Sequence, residues 1–367
     1  MNAAGRHDAI LRELELRGSL QSSSLSARLG VSTMTLWRDL FTLEERGLLT
    51  RVHGGAVSLA VAQQQSAKAR DGGRRLSRPV ATIGMIVPNA QYYFPEVIRG
   101  ASQAARELNC RLVVGGTGYS PEEEHRQAKR LLDGGVDALM ITPHDSIHEA
   151  DALQALLEAA DIPVVIVERT VDDPVAGRLE WVRSDHAYGA EISVKHLAEN
   201  GHRRIALAAR PSATTAGLVA GYERAMNEIA APADGRLYRT LVNPAIDDAT
   251  VRAGLETLLD DCLRADISAA VLLGDADAMT FTDLVLERGL RIPEDFAVIA
   301  YDDDVAAFAA VPLTAVAPPK HELGHAALRL CVDRLRQQPG AAHTVVRMTL
   351  LPTLHVREST VRRATPL

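Results

Sequence analysis

Cysteine is scarce in this chain: Cys110, Cys262 and Cys331 are the only three, far apart, with no CxxC pair and no histidine at ligand spacing. That excludes a disulfide-stapled fold and a cysteine-based zinc site, and reads as reduced, buried thiols. Aromatics make up only 4% of the 367 residues. Long apolar runs are missing too, none approaching the roughly 18 residues of a membrane span, and the opening MNAAGRHDAI carries charge where a signal peptide needs an apolar stretch. A cytoplasmic chain with no membrane partner is expected. Catalytic signatures are absent: there is no GxSxG elbow, Walker lysine or HExxH, and Gly115-Gly116-Thr117-Gly118 lacks the third glycine of a dinucleotide fingerprint. His321 and His325 stand four residues apart without a third ligand. No enzymatic activity, metal or cofactor is expected.

What is present is ordinary for a soluble α/β protein, with 47% hydrophobic and 24% charged residues. Its charge is uneven. The first 80 residues hold 12 basic against 7 acidic side chains, while the net charge of the whole is −7. An N-terminal module that meets phosphates, joined to a body that does not, accounts for this asymmetry.

Ile10, Leu11 and Leu14 give a first helix its apolar stripe, Leu25 and Leu29 a second, and Gly30 breaks the latter before Val31. Ser32 reads as the N-cap of a third helix over Thr33 to Glu45, with Leu36, Leu40 and Leu43 facing inward. Leu48 to Val52 and Ala56 to Leu59, joined through His53-Gly54-Gly55, read as a two-stranded wing. In this helix-turn-helix pattern Met34, Thr35, Arg38 and Thr42 lie opposite the leucine stripe, where they would face DNA. Arg51, His53, Ser32 and the helix start around Thr33 are placed for phosphate. Spacing alone also admits a helical protein-interaction module, with Arg38 simply solvated.

From Ala60 to Arg78 the composition turns to Gln, Ser, Ala, Gly and Arg without apolar period, which reads as a linker. Beyond Pro79, the apolar runs TIGMIV, RLVVGG, ALMIT, PVVIV, RIALAA, AAVLL and FAVIAY alternate with amphipathic segments. That alternation describes parallel sheets covered by helices on both faces, and the strand signals fall in two groups, so two similar lobes are expected. The domains are thus set at 1–59, a linker at 60–78, an α/β body at 79–358 and a tail at 359–367.

Val31 to Leu40, then Leu43-Glu44, Gly47 and Arg51-Val52-His53-Gly54-Gly55-Ala56, closely resemble the DeoR-type regulator signature over about residues 6 to 57. The resemblance implies a winged helix-turn-helix that binds an operator in double-stranded DNA. It departs at Trp37-Arg38, where the pattern has two arginines; Trp37 either meets a thymine methyl or packs beside Phe41. The segments IGMIVPNAQYYFPEVIRGASQAARE, SDHAYGAEISVKHLAENGHRRIAL, GLRIPEDFAVIAYDDD and VPLTAVAPPKHELGHAA resemble the periplasmic-binding-protein-like effector domain of lactose- and ribose-repressor regulators. That implies two Rossmann-like lobes, a small sugar-like effector closed between them at strand carboxyl ends, and a homodimer that represses.

By position, the second resemblance puts Tyr93 and Phe94 where aromatics stack on the effector, Gln91 beside them at the effector site, Asp145 where a carboxylate binds hydroxyls, Arg169 where an arginine does, and Asp302 as the second lobe's aspartate. Asp302 also reads as a turn carboxylate, and Tyr93 as rim packing. Other expected contacts are replaced: Leu218 stands for an arginine, Gly274 before Asp275 for an amide, and Pro318 for a glutamine. Those losses favour a deoxy, modified or larger sugar-like ligand over a common pentose or hexose. No hinge helix is visible between Ala56 and Pro79, so control is expected through the spacing of two DNA modules in the dimer. The alternative is a cytoplasmic sugar-binding protein or adaptor that does not act through DNA.

Overall fold

Apolar spacing decides the N-terminal module. In a computed structural model, which describes residues 3–17, 19–31, 33–45, 48–52, 55–57, 79–144, 155–157, 159–169, 179–241, 248–337 and 344–361, helices α1 (Ala3–Arg17), α2 (Ser22–Leu29) and α3 (Thr33–Glu45) enclose the leucine stripes. Leu36, Leu40 and Leu43 are at most 1% exposed, so one face of α3 is committed to the core. A strand not foreseen in the sequence, β1 (Ser19–Gln21), pairs with one edge of β3 (Gly55–Val57), while β2 (Thr50–Val52) pairs with the other. Leu20 of β1 thereby joins the core. The expected linker lies outside the described residues, as do Ser32 and His53.

Residues 1–78 form one unit and 79–367 another. The second unit contains two lobes, each a six-stranded sheet between apolar layers. In the first lobe β4 (Thr82–Val87), β5 (Arg111–Gly116), β6 (Ala138–Ile141), β7 (Val164–Val167), β8 (Glu180–Ser184) and β14 (Arg347–Leu350) lie in the order β14-β8-β7-β6-β4-β5, all parallel. The second lobe orders β9 (Ile205–Ala209), β10 (Arg236–Thr240), β11 (Ala269–Leu273), β12 (Ala297–Tyr301), β13 (Thr314–Ala317) and β15 (Thr353–His355) as β10-β9-β11-β12-β13-β15, with β15 alone antiparallel. Central strands such as β4, β6, β9 and β12 are almost wholly buried, which is why they read as unbroken apolar runs.

Helix starts follow local chemistry. Ser120 caps α5 (Pro121–Asp133) by accepting the Glu123 N–H at 3.2 Å, ahead of a proline and three glutamates in the first turn. Asp185 caps α6 (His186–Glu199) through the Tyr188 N–H at 2.9 Å. The chain passes between lobes three times, after β8, after β13 and after β14. The second passage delivers α10 (Lys320–Leu335) back to the first lobe, where Leu323, Ala327, Leu328 and Cys331 complete the core beneath α4 (Phe94–Glu107).

That helix pair depends on glycine. A Cβ on Gly100 of α4 would fall 1.8 Å from the His321 carbonyl oxygen, and one on Gly324 of α10 1.9 Å from that of Val97. Both clashes involve backbone, which no rotamer change relieves, so the helices cross at a distance only glycine permits. Gly100→Ala is expected to cost about 3 kcal/mol of stability and to lower the melting temperature by roughly 8 °C. An unchanged melting curve would show that α10 can shift without loss.

Candidate functional site

The recognition face of the N-terminal unit is what the core leaves over. With Leu36, Leu40 and Leu43 turned inward, Thr35, Arg38 and Thr42 fall on the opposite side of α3; Arg38 is exposed, and the Thr42 hydroxyl donates to the Arg38 carbonyl at 3.1 Å. Thr33, Met34 and Trp37 lie on the same helix and Arg51 on the wing strand β2. Beside Arg38, Asp39 turns the other way. Its buried carboxylate takes Arg6 Nε at 2.6 Å and lies 3.1 Å from His7 Nε2, tying α1 to α3. Burial pushes this carboxyl up, but the Arg6 guanidinium and His7 outweigh it and hold it below the ordinary range. Asp39 thus fixes the angle of the recognition helix, a role its charge concealed in the sequence.

In the body, the carboxyl ends of both parallel sheets face one another across a polar cleft, because the residues just beyond them bond from lobe to lobe. On the first-lobe side, Tyr93 donates its hydroxyl to Glu168, whose carboxylate also accepts the Ser184 N–H at 3.1 Å and the Ser184 hydroxyl at 2.6 Å. His186 Nε2, at the start of second-lobe helix α6, is 3.4 Å from the same carboxylate, and its Nδ1 is 3.0 Å from the Tyr301 hydroxyl. Burial alone would raise Glu168, but His186, Ser184 and Tyr93 reverse this and hold it down at about 2. Arg169 is anchored through its Nε to the Pro143 carbonyl at 3.2 Å and through Nη1 to the Glu168 carbonyl at 3.0 Å. Asn89 donates to the Tyr119 hydroxyl at 3.2 Å and accepts the Gln91 N–H at 3.0 Å.

On the second-lobe side, Asp275 opens α9 (Asp275–Glu287) and is fully buried. Its carboxylate accepts the backbone N–H groups of Asp303, Asp304, Val305 and Ala306 at 2.7 to 3.2 Å. Asp303 is paired with Arg357 at 2.7 Å and with His355 at 2.6 Å. Asp304 is paired with Lys320 at 2.8 Å, and the Lys320 ammonium stands 5.0 Å from the Tyr93 ring centre. Asp302 sits at the cleft with φ of 101°. Burial and the neighbouring charges of Asp275 and Asp304 hold its carboxyl well above the ordinary range, while Lys320 pulls the other way.

The structure brings Tyr93, Arg169 and Asp302 to the cleft, with Gln91 exposed on the turn beside them. Three expectations need correction. Phe94 is 4% exposed and packs edge-on behind Tyr93 in the first-lobe core, so it buttresses that ring and offers no stacking face of its own. Leu218, on α7 (Thr215–Glu228), is fully buried among Val194, Leu207 and Tyr222, so it belongs to the core and offers nothing to the cleft. The Asp275 carboxylate is consumed by its own chain; only its N–H, and the open backbone of Gly274 at φ 95°, border the cleft. Asp145 lies outside the described residues. Sequence reasoning missed Tyr92, Tyr119, Glu168, His186 and Lys320. Glu168 carried a signal, a charge closing the apolar run PVVIV.

These features match known proteins. The DeoR-like helix-turn-helix domain family matches residues 6–61, and the periplasmic binding protein-like domain family residues 194–360. The HTH-type transcriptional regulator CelR of Thermobifida fusca is 29% identical over 335 residues, covering 86% of this chain and 94% of that protein. The ribose operon repressor of Haemophilus influenzae is 26% identical over 286 residues, covering 77% and 82%. The structure of a CelR–cellobiose complex superposes with a TM-score of 0.64 at 26% identity, over 83% of this chain and 91% of that one. The chain thus combines a match to a DeoR-like helix-turn-helix domain with a two-lobed fold matching the periplasmic binding protein-like domain, and is similar to helix-turn-helix transcription regulators. It is similar to CelR along most of its length, with an N-terminal module of DeoR-like type.

Glu168 offers a direct test of the cleft floor. Its folded pKa near 2 lies below the ordinary 4.5, so it stabilises the fold above pH 4.5 and that contribution is lost as pH falls toward 2. The difference is worth on the order of 3 kcal/mol. Glu168→Gln should remove most of it at pH 7 and flatten the acid limb of a urea-denaturation series. Equal acid sensitivity in variant and parent would refute the assignment.

Proposed function

We propose that this protein is a cytoplasmic, non-catalytic repressor that binds an operator as a homodimer through α3 and its wing, and releases it when a sugar-class effector occupies the cleft. The observation that carries this reading is the pairing, in one chain, of a winged helix-turn-helix with two facing parallel sheets whose carboxyl ends hold Tyr93, Arg169 and Asp302. Tyr93 offers an aromatic face to sugar C–H groups, and Arg169 and Asp302 offer a donor fork and a carboxyl to hydroxyls. Asp145 is assigned the further carboxylate, and Gln91 and Gly274 the rim. Thr33, Met34, Thr35, Trp37, Arg38 and Thr42 face the major groove, while Ser32, Arg51 and His53 meet phosphate.

With Leu218 in the core, no cation stands at that position to meet ring hydroxyls, which favours a larger or deoxygenated sugar. Cellobiose, the ligand in the CelR complex, is the first probe. Thermal stabilisation across cellobiose, ribose, galactose, sugar acids, polyols and nucleosides tests this, since a ligand that binds only the folded state raises the melting temperature. A larger or deoxygenated sugar should give the greatest shift, and Arg169→Ala should abolish it. Tightest binding by ribose or galactose would overturn the assignment. For the DNA face, Arg38→Ala should weaken operator binding by roughly 5- to 100-fold with the fold intact; unchanged retention of operator DNA would exclude α3 as the reading helix.

A further inference from the structure

Two adjacent tyrosines serve opposite lobes. Tyr93 bonds within its own lobe, to Glu168. Tyr92 crosses the cleft: its hydroxyl accepts the Asp275 N–H at 3.0 Å. This reach has a backbone cost. Tyr92 has φ of 59°, a left-handed conformation that strains a bulky L-residue. The strained turn, set by the Asn89 side chain holding the Gln91 N–H, is what sends consecutive rings in different directions.

The partner it finds is unmet by its own lobe. Asp275 N–H is the first donor of α9, and helix starts leave such donors without intrahelical acceptors. Gly274 precedes it with no side chain, and the Asp275 carboxylate is engaged by residues 303–306. Position in the fold separates this contact from the other bonds between lobes. His186 and Lys320 lie immediately after interlobe passages, where covalent connection keeps the lobes together at any opening angle. Tyr92 lies in the turn between β4 and α4, on none of the interlobe connections, so no covalent link holds its bond together when the lobes part.

We propose that Tyr92 is an internal latch that holds the two lobes closed by accepting the second lobe's Asp275 N–H, so that the cleft opens only when this bond breaks. The functional purpose rests on reading the cleft as an effector site; the latch itself does not. Its effect is to bias the lobes toward closure.

Hydrogen exchange on the full chain without ligand tests this. Tyr92→Phe removes only the hydroxyl, and the Asp275 amide should exchange at least tenfold faster. The amides of Asp303, Asp304, Val305 and Ala306, bound to the Asp275 carboxylate, should stay protected and report that the lobe remains folded. Tyr92→Gly, which also relieves the backbone strain, should give the same selective loss. An Asp275 amide equally protected in parent and both variants would overturn the latch. A blank sugar panel on the parent would instead count against effector binding and leave the exchange result standing, so the two ideas fail separately.

Discussion

Four consecutive backbone N–H groups, from Asp303 to Ala306, converge on the Asp275 carboxylate. A buried carboxylate is costly unless its acceptors are filled, and here backbone donors fill them. The geometry that follows is extensive. The strand β12 ends in a turn pinned to the start of α9; Asp302 and Asp303 are held at positive φ of 101° and 54°; Asp304 is presented to Lys320; and the Asp275 N–H is left facing the opposite lobe. One residue therefore arranges the whole second-lobe mouth without being available to a ligand itself.

The two lobes treat charge differently. In the first, Glu168 is matched by His186, serine and tyrosine, and Arg169 is steadied by carbonyl oxygens, so its cationic edge remains a donor array. In the second, Arg210 grips Asp277 through two bonds and Arg357 holds Asp303, while Lys320, entering from the first lobe's α10, holds Asp304.

The alternation of apolar runs made the central strands and most of their helices legible, since strands covered on both faces leave no polar residue to confuse the period. Of the less buried strands, only the edge strand RLVVGG was legible. EWVRS of β8 alternates, and the edge strands RLYRT, RMTL and TLH are half exposed, so they carry turn-like or mixed composition. Tyr93, Arg169 and Asp302 were legible as cleft residues by resemblance. Phe94 was not, because adjacent aromatics at a helix start point to different environments, and that depends on backbone angles no pattern records. Glu168 and Tyr92 escaped for the related reason that their partners lie 16 or more residues away, across the sheet or the cleft.

The helix pair joined through Gly100 and Gly324 bears on how the protein is made. The first lobe's strands β4 to β8 leave the ribosome early, but the helix that seals their core and the strand β14 that completes their sheet arrive only after the second lobe's central strands. The nascent first lobe must therefore wait with an uncovered apolar face through synthesis of more than a hundred further residues. Vectorial emergence makes this interval the moment of greatest exposure to aggregation, and places the burden of chaperoning on the lobe that is translated first and finished last.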